Sequence, residues 1–213
     1  VQDAAASIPA QLFGDLKDKR VADLCAAPGG KTAQLIAADA DVVAVEQSAN
    51  RLVRLKENLE RLGLTAELVA GDLFDFDPEE KLDGVLLDAP CSSTGTTRRH
   101  PDVLWTKGPE DVAKLAALQE RMLRHAVTLV KPGGLIVFSN CSLDPIEGED
   151  LVERVLADSP ALERALIDPA RWPGLEDGIT SRGDFRTTPA MLPPAEGFAG
   201  GMDGFFATVL RVR

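Results

Sequence analysis

No stretch of this chain stays apolar for the roughly 20 residues that cross a bilayer, and no charged, apolar, small-residue leader pattern opens it. A soluble, cytoplasmic protein with no membrane partner is the expectation. Cysteine is scarce as well. The three residues Cys25, Cys91 and Cys141 form no CxxC pair, and the two histidines, His100 and His125, lie on different segments. That argues against a disulfide framework and against a zinc site, so no metal is expected and the thiols should be reduced. Positive charge is also short, with 23 Lys and Arg against 34 Asp and Glu and a net charge of -11. Such a chain lacks the broad basic surface that drives non-specific phosphate binding. The local exception is Arg98-Arg99-His100, which is either a solvated loop or a small basic spot. Neither a GxGxxG fingerprint nor a GxxxxGK[ST] loop occurs, and there are no repeats or low-complexity tracts.

What is present points to an α/β fold. With 213 residues, 45% of them hydrophobic, the chain can bury one sizeable core. Strand and helix patterns alternate, as in a mostly parallel sheet. Strands are expected at 20–24, 42–46, 66–70, 82–88 and 134–138, with a closing antiparallel strand at 205–212. Helices are expected at 31–38, 48–62, 109–130 and 146–156. Ser48 serves as an N-cap and Gly63 as a stop, and Leu52, Leu55, Leu59 and Leu62 share one face. On the long helix Val112, Leu115, Leu118, Met122, Ala126 and Leu129 face the sheet. The stretch 160–204, rich in Pro and Gly, reads mostly as loop. One domain is expected over 1–213, with 1–19 as a lead-in. Because the first residue is Val1, the chain reads as a fragment or a processed product.

Chemistry-bearing residues gather at the predicted strand ends. Cys25-Ala26-Ala27-Pro28-Gly29-Gly30 follows the first strand and opens a helix. Small residues there let a ligand approach the backbone, and the helix start offers N–H groups to a carboxylate. Glu46 ends the second strand, where a carboxylate can accept ribose hydroxyls. Asp72 ends the third and can accept from an adenine amino group. A glycine turn and two acids on consecutive strand ends imply an adenosine-type ligand. A carboxyl-bearing tail suits the turn better than a pyrophosphate, which points to S-adenosyl-L-methionine.

Two further strand ends carry thiols, in Asp88-Ala89-Pro90-Cys91 and Asn140-Cys141-Ser142. Free cysteines usually fill space, and that reading suits Cys25. Cys91 and Cys141 stand at loop entries beside polar residues, which fits a nucleophile and a helper in one cleft. Carbon 5 of a pyrimidine is a poor nucleophile. A thiolate added to carbon 6 turns carbon 5 into an enamine-like centre able to attack a methyl sulfonium. Asp88 would hold the polar edge of the ring, and Lys31 would supply positive charge or steady that carboxylate.

The segments Asp23-Leu24-Cys25-Ala26-Ala27-Pro28-Gly29-Gly30-Lys31-Thr32, Asp88-Ala89-Pro90-Cys91-Ser92 and Asn140-Cys141-Ser142 resemble motifs of the Sun/RsmB family of RNA cytosine-5 methyltransferases. So do Val1-Gln2-Asp3, Arg98-Arg99-His100-Pro101-Asp102 and Gly201-Met202-Asp203-Gly204-Phe205-Phe206. The resemblance covers essentially the whole chain in order. It implies a Rossmann-like methyltransferase fold with a seven-stranded, mostly parallel sheet, helices on both faces and an antiparallel C-terminal strand. It also implies that Cys141 is the nucleophile and that Cys91 assists breakdown of the adduct. The cofactor would contact the turn Cys25 to Lys31, Glu46, Asp72, Asp88 and Arg51, whose alternative is a solvated place on a helix. One departure stands out, because the family usually carries Thr where this chain has Asn140. Bacterial ribosomal members also carry an N-terminal RNA-binding region, which would supply the phosphate contacts that this acidic chain lacks. A monomer acting on RNA, ribosomal RNA above others, is the leading expectation. A methyltransferase for transfer RNA, protein or a small molecule, and a non-catalytic ribosome-assembly factor, stand as alternatives.

Overall fold

The computed structural model describes residues 2–197 and 200–213. Val1, part of the opening motif, lies outside the described residues. The sheet is built from β1 (Arg20–Asp23), β2 (Asp41–Glu46), β3 (Glu67–Ala70), β4 (Leu82–Asp88), β5 (Val130–Asn140), β6 (Leu162–Arg164), β7 (Phe185–Thr187) and β8 (Phe205–Val212). Seven strands run in the order β3-β2-β1-β4-β5-β8-β6, and β7 pairs with β8 off that path. From β3 to β5 the pairing is parallel, and β8 returns antiparallel against β5. The strand order reverses between β1 and β4, so a crevice opens beyond their carboxyl ends, where such sheets bind ligands.

Both faces of the sheet are buried, and the strand pattern shows why. Ala22, Leu87 and Phe138 point to one side, against Leu123 and Ala126 of α5 (Pro109–Leu129) and Val152 of α6 (Glu149–Asp158). Their neighbours Val21, Leu86 and Val137 point to the other, against Leu35 of α2 (Gly30–Ala37) and Ala5 and Ile8 of α1 (Ala4–Gln11). Near-continuous apolar runs are what doubly covered parallel strands require. Ala4–Gln11 near the start of the chain is therefore a helix packed into the core. Asp3 caps α1 through its bond to the Ala5 N–H at 2.9 Å.

α3 (Ala49–Leu62) begins at the Ser48 cap and ends at Gly63, which takes a left-handed φ of 66°. Leu55 and Leu59 are buried as the spacing predicts, but Leu62 is 49% exposed because the helix ends before that face meets the sheet. The stretch expected as helix 146–156 is broken. A 3-10 turn at Pro145–Glu147 ends at Gly148, and only then does α6 start. A Cβ on Gly148 would lie 2.6 Å from the tip of the Arg186 guanidinium and 3.0 Å from the Phe206 ring, so a larger residue there needs those side chains to shift. The tail contains β6, β7 and two 3-10 turns, held by pairing to β8 rather than by local propensity. Among the described residues no helix is long and apolar enough to cross a membrane.

Candidate active site

Parallel pairing sets Asp88 of β4 beside Ser139 of β5, so the loops after both strands leave the sheet at one place. Cys91, three residues past Asp88, and Cys141, one past the end of β5, bring their Sγ atoms to 3.4 Å. The contact acts on the two thiols in opposite directions. The S–H donated by Cys91 lowers the Cys141 thiol below its ordinary value, with Ser93 and the Lys31 charge helping against burial and the Asp88 charge. Giving that bond, and then burial, push Cys91 well above its ordinary value. Of the two, Cys141 is the sulfur that gives up its proton more readily. Cys25 is raised by burial, so it is a packed, unreactive thiol.

Asp88 is held from both sides. Lys31 Nζ donates to Oδ2 at 2.7 Å, and Ser139 Oγ donates to Oδ1 at 3.0 Å. Burial works against the Lys31 charge, but Asp88 outweighs it and keeps the ammonium protonated. The ammonium also lies 5.2 Å from the centre of the Phe205 ring. Behind this pair Asp23 is buried under Thr32, whose Oγ1 donates to it at 2.7 Å.

Burial pushes the Asp23 carboxyl from 3.8 up to about 6, so the folded state holds its proton more tightly than the unfolded chain. Its destabilising contribution is absent below 3.8 and complete above about 6. We expect the stability of the protein relative to Asp23→Asn to fall as the pH rises through that window, by on the order of 3 kcal/mol. Urea titrations of both proteins at several pH values check this, and a difference that is flat across the window contradicts it.

A cleft of about 290 Å³ runs from the thiols along the ends of β1, β2 and β3. Cys25, Ala27, Glu46, Arg51, Asp72 and Asp88 of the expected residues line it, with Leu24, Leu73 and Met122 as apolar wall. Glu46 is 2% exposed and accepts from the Ala27 N–H at 3.3 Å and the Ser48 N–H at 2.9 Å. Arg51, an exposed residue of α3, reaches Glu46 Oε1 at 3.3 Å and the Ala27 carbonyl at 2.7 Å, so it braces the turn from the solvent side. Asp72 accepts from the Phe74 N–H at 3.1 Å and from Gln47 Nε2 at 3.1 Å. Ala26, Pro28, Gly30 and Lys31 open instead onto a second cleft, which shares Cys25, Ala27 and Asp88 with the first. Gly29 lines neither and takes a left-handed φ of 99°, the turn into α2 that glycine permits.

Arg98 and Arg99 are not a free basic spot. Arg98 donates to Asp3 at 2.8 Å, and Arg99 Nε reaches the two Asp203 oxygens at 3.0 and 3.1 Å. These pairs tie the loop after Cys91 to both ends of the chain. Gly95 donates to the Cys141 carbonyl at 2.9 Å, and a Cβ on it would lie 2.0 Å from the Gly204 carbonyl oxygen. Asn140 takes over the place of the usual Thr with two bonds, from Nδ2 to the Glu147 carbonyl at 2.7 Å and from the Ser142 N–H to Oδ1 at 3.0 Å. Sequence reasoning missed the buried polar residues Ser92, Gln119 and Glu147 behind the thiols, since no periodicity marks them.

A doubly covered parallel sheet with an antiparallel closing strand, acids on its strand tips and paired thiols beside them defines a Rossmann-like methyltransferase domain. The chain belongs to the family described as 16S rRNA methyltransferase RsmB/F, whose model matches residues 11–211. It is 38% identical to the ribosomal RNA small subunit methyltransferase B of Vibrio cholerae over 215 residues, which is 99% of this chain and 45% of that protein. The chain thus spans less than half the length of that relative. Among solved structures, PH0851 superposes with a TM-score of 0.87 at 28% identity, covering 99% of this chain and 46% of that one. NSun6 from Pyrococcus horikoshii, solved with SFG, gives a TM-score of 0.81 at 26% identity, covering 99% and 52%.

Proposed function

We propose that this chain is the catalytic part of an S-adenosyl-L-methionine-dependent RNA cytosine-5 methyltransferase acting on small-subunit ribosomal RNA. The observation that carries the proposal is the thiol pair, Cys141 Sγ 3.4 Å from Cys91 Sγ with Cys141 the more readily ionised, beside the braced Asp88 and in an acid-lined cleft. Full-length family relatives named for the small-subunit RNA support the choice of substrate.

The donor set fits the cofactor. Glu46 and Asp72 are acceptors on neighbouring strand tips, suited to ribose hydroxyls and an adenine amine, and Leu24, Leu73 and Met122 suit the flat ring. Glu46, Asp72, Arg51, Cys25 and Ala27 would hold it, with Asp88 at its reactive end. When bound, the cofactor supplies an electrophilic methyl group to carbon 5 of the base.

The rest follows from the residues of the chain. The Cys141 thiolate would add to carbon 6 and push the ring electrons to carbon 5, which would take the methyl group as its bond to the sulfonium sulfur breaks. Asp88, with Lys31 and Ser139 on its two oxygens, presents a fixed polar group to the ring edge while charge builds there. Solvent water then takes the proton from carbon 5, its electron pair re-forms the double bond to carbon 6 as the bond from that carbon to sulfur breaks, and the Cys91 S–H stabilises the departing Cys141 thiolate. The target cytosine must be unpaired or extruded, because carbon 6 is closed to attack inside a stack. With a net charge of -11, and with Arg98 and Arg99 already paired, most phosphate contacts come from the remainder of the full-length protein.

Mapping 5-methylcytosine in total RNA from cells with and without the gene tests the assignment. We expect loss of methylation at a small-subunit site. Loss confined to transfer RNA, or no loss at all, refutes it.

A further inference from the structure

Glu147 is wholly buried, and the chemistry above gives it no part. Among the described residues no lysine, arginine or histidine pairs with its carboxylate. Its partners are neutral: the Ser92 N–H at 3.0 Å, Gln119 Nε2 at 2.8 Å and the Ser92 hydroxyl. Three donors converge on its two oxygens. A buried carboxylate without a cation is costly to keep.

Its bonds all lead to the thiol loops. Cys91 is gripped on both sides, because Glu147 takes the N–H of Ser92 and Gln119 donates to the Pro90 carbonyl at 2.8 Å. The Glu147 carbonyl accepts from Asn140, the residue before Cys141. The Ser92 hydroxyl continues at 3.0 Å to that of Ser142, the residue after Cys141. One residue therefore touches the immediate neighbours of both thiols, and the Gly148 break turns it inward to do so.

We propose that Glu147 is the positioning residue that locks the loops of the two thiols against each other and so sets which sulfur, Cys141, is presented as the nucleophile. The role rests on the two-thiol reading above. After the bond to Cys141 and burial, the Glu147 charge adds to what holds the proton on Cys91, while at Cys141 the Lys31 ammonium works against the Asp88 carboxylate. The clamp on Pro90 and Ser92 also holds Cys91 where its S–H meets the partner sulfur. Remove the charge, and the proton divides more evenly between the two sulfurs.

Alkylation of the full-length protein by iodoacetamide near neutral pH, read at each cysteine by peptide mass spectrometry, tests this without RNA or cofactor. The wild-type protein should react mainly at Cys141. In Glu147→Gln the ratio of Cys141 to Cys91 labelling should fall roughly tenfold, the effect of about one pKa unit between the thiols. Glu147→Asp, which restores the charge, should recover most of the ratio. An unchanged ratio in folded Glu147→Gln, or a ratio in Glu147→Asp as low as in Glu147→Gln, overturns the proposal. Should Glu147→Gln fail to fold, Gln119→Met decides. It keeps the volume but frees Pro90, so the ratio must fall about threefold, and no change overturns the idea. If RNA methylation is absent from the wild-type protein while the ratios behave as stated, the proposed function fails and this assignment of the thiols stands.

Discussion

Cys141→Ala abolishes methyl transfer to RNA, with a loss of about four orders of magnitude or more, while cofactor affinity stays within about twofold of wild type. The size follows from what the thiolate does. Without covalent addition at carbon 6, carbon 5 of cytosine has almost no tendency to attack a methyl group. Cys91 cannot step in, although its sulfur is only 3.4 Å away. Its thiol is held protonated, and Gln119 and Glu147 fix its loop from both sides. Cofactor affinity survives because Glu46 and Asp72 sit at the far end of the cleft and share no hydrogen-bond partner with Cys141. Transfer of a labelled methyl group to RNA, with cofactor binding measured by calorimetry on the same preparation, checks both halves. Activity within tenfold of wild type would remove Cys141 from the mechanism.

The parts of this site that can be read from sequence are those fixed by local rules. Apolar runs that end in an acid or a cysteine mark β1 to β5, so Glu46, Asp72, Asp88 and Cys91 are all found at strand tips, as period and punctuation imply. Ser48 and Gly63 bound α3 for the same local reasons. The parts that stay hidden depend on contacts distant in sequence. Arg99 meets Asp203, and Asp3 accepts from the Asp203 N–H at 2.9 Å, so a loop that looks basic is neutralised by residues from both ends of the chain. β6 and β7 are strands only because β8 offers them an edge. Helical spacing runs unbroken through 146–156, and nothing local says that Gly148 must turn the chain beside Arg186 and Phe206. That break orients Glu147, which is why the reactive thiols are legible and the residue that ranks them is not.

Cys91→Ala should trap a covalent protein–RNA adduct, with turnover slowed by about two orders of magnitude or more. Two steps depend on the Cys91 thiol, and they are affected unequally. Losing its S–H raises the Cys141 thiol, so addition to carbon 6 slows, but the Lys31 ammonium and the Ser93 hydroxyl still favour the thiolate. Breakdown suffers more. Cleavage of the bond to carbon 6 needs a sulfur able to leave, and the S–H that would stabilise the leaving thiolate lies 3.4 Å away in the wild-type protein and nowhere in the variant. Addition therefore outruns release and the adduct accumulates. It should resist denaturation by detergent, appear as a slowly migrating band that nuclease digestion reduces, and be missing from the Cys91→Ala, Cys141→Ala double variant. An adduct formed by Cys141→Ala instead, together with an inactive Cys91→Ala that forms none, would exchange the two roles. It would also contradict the ordering of the thiols, since the sulfur that ionises first is the one that must attack first.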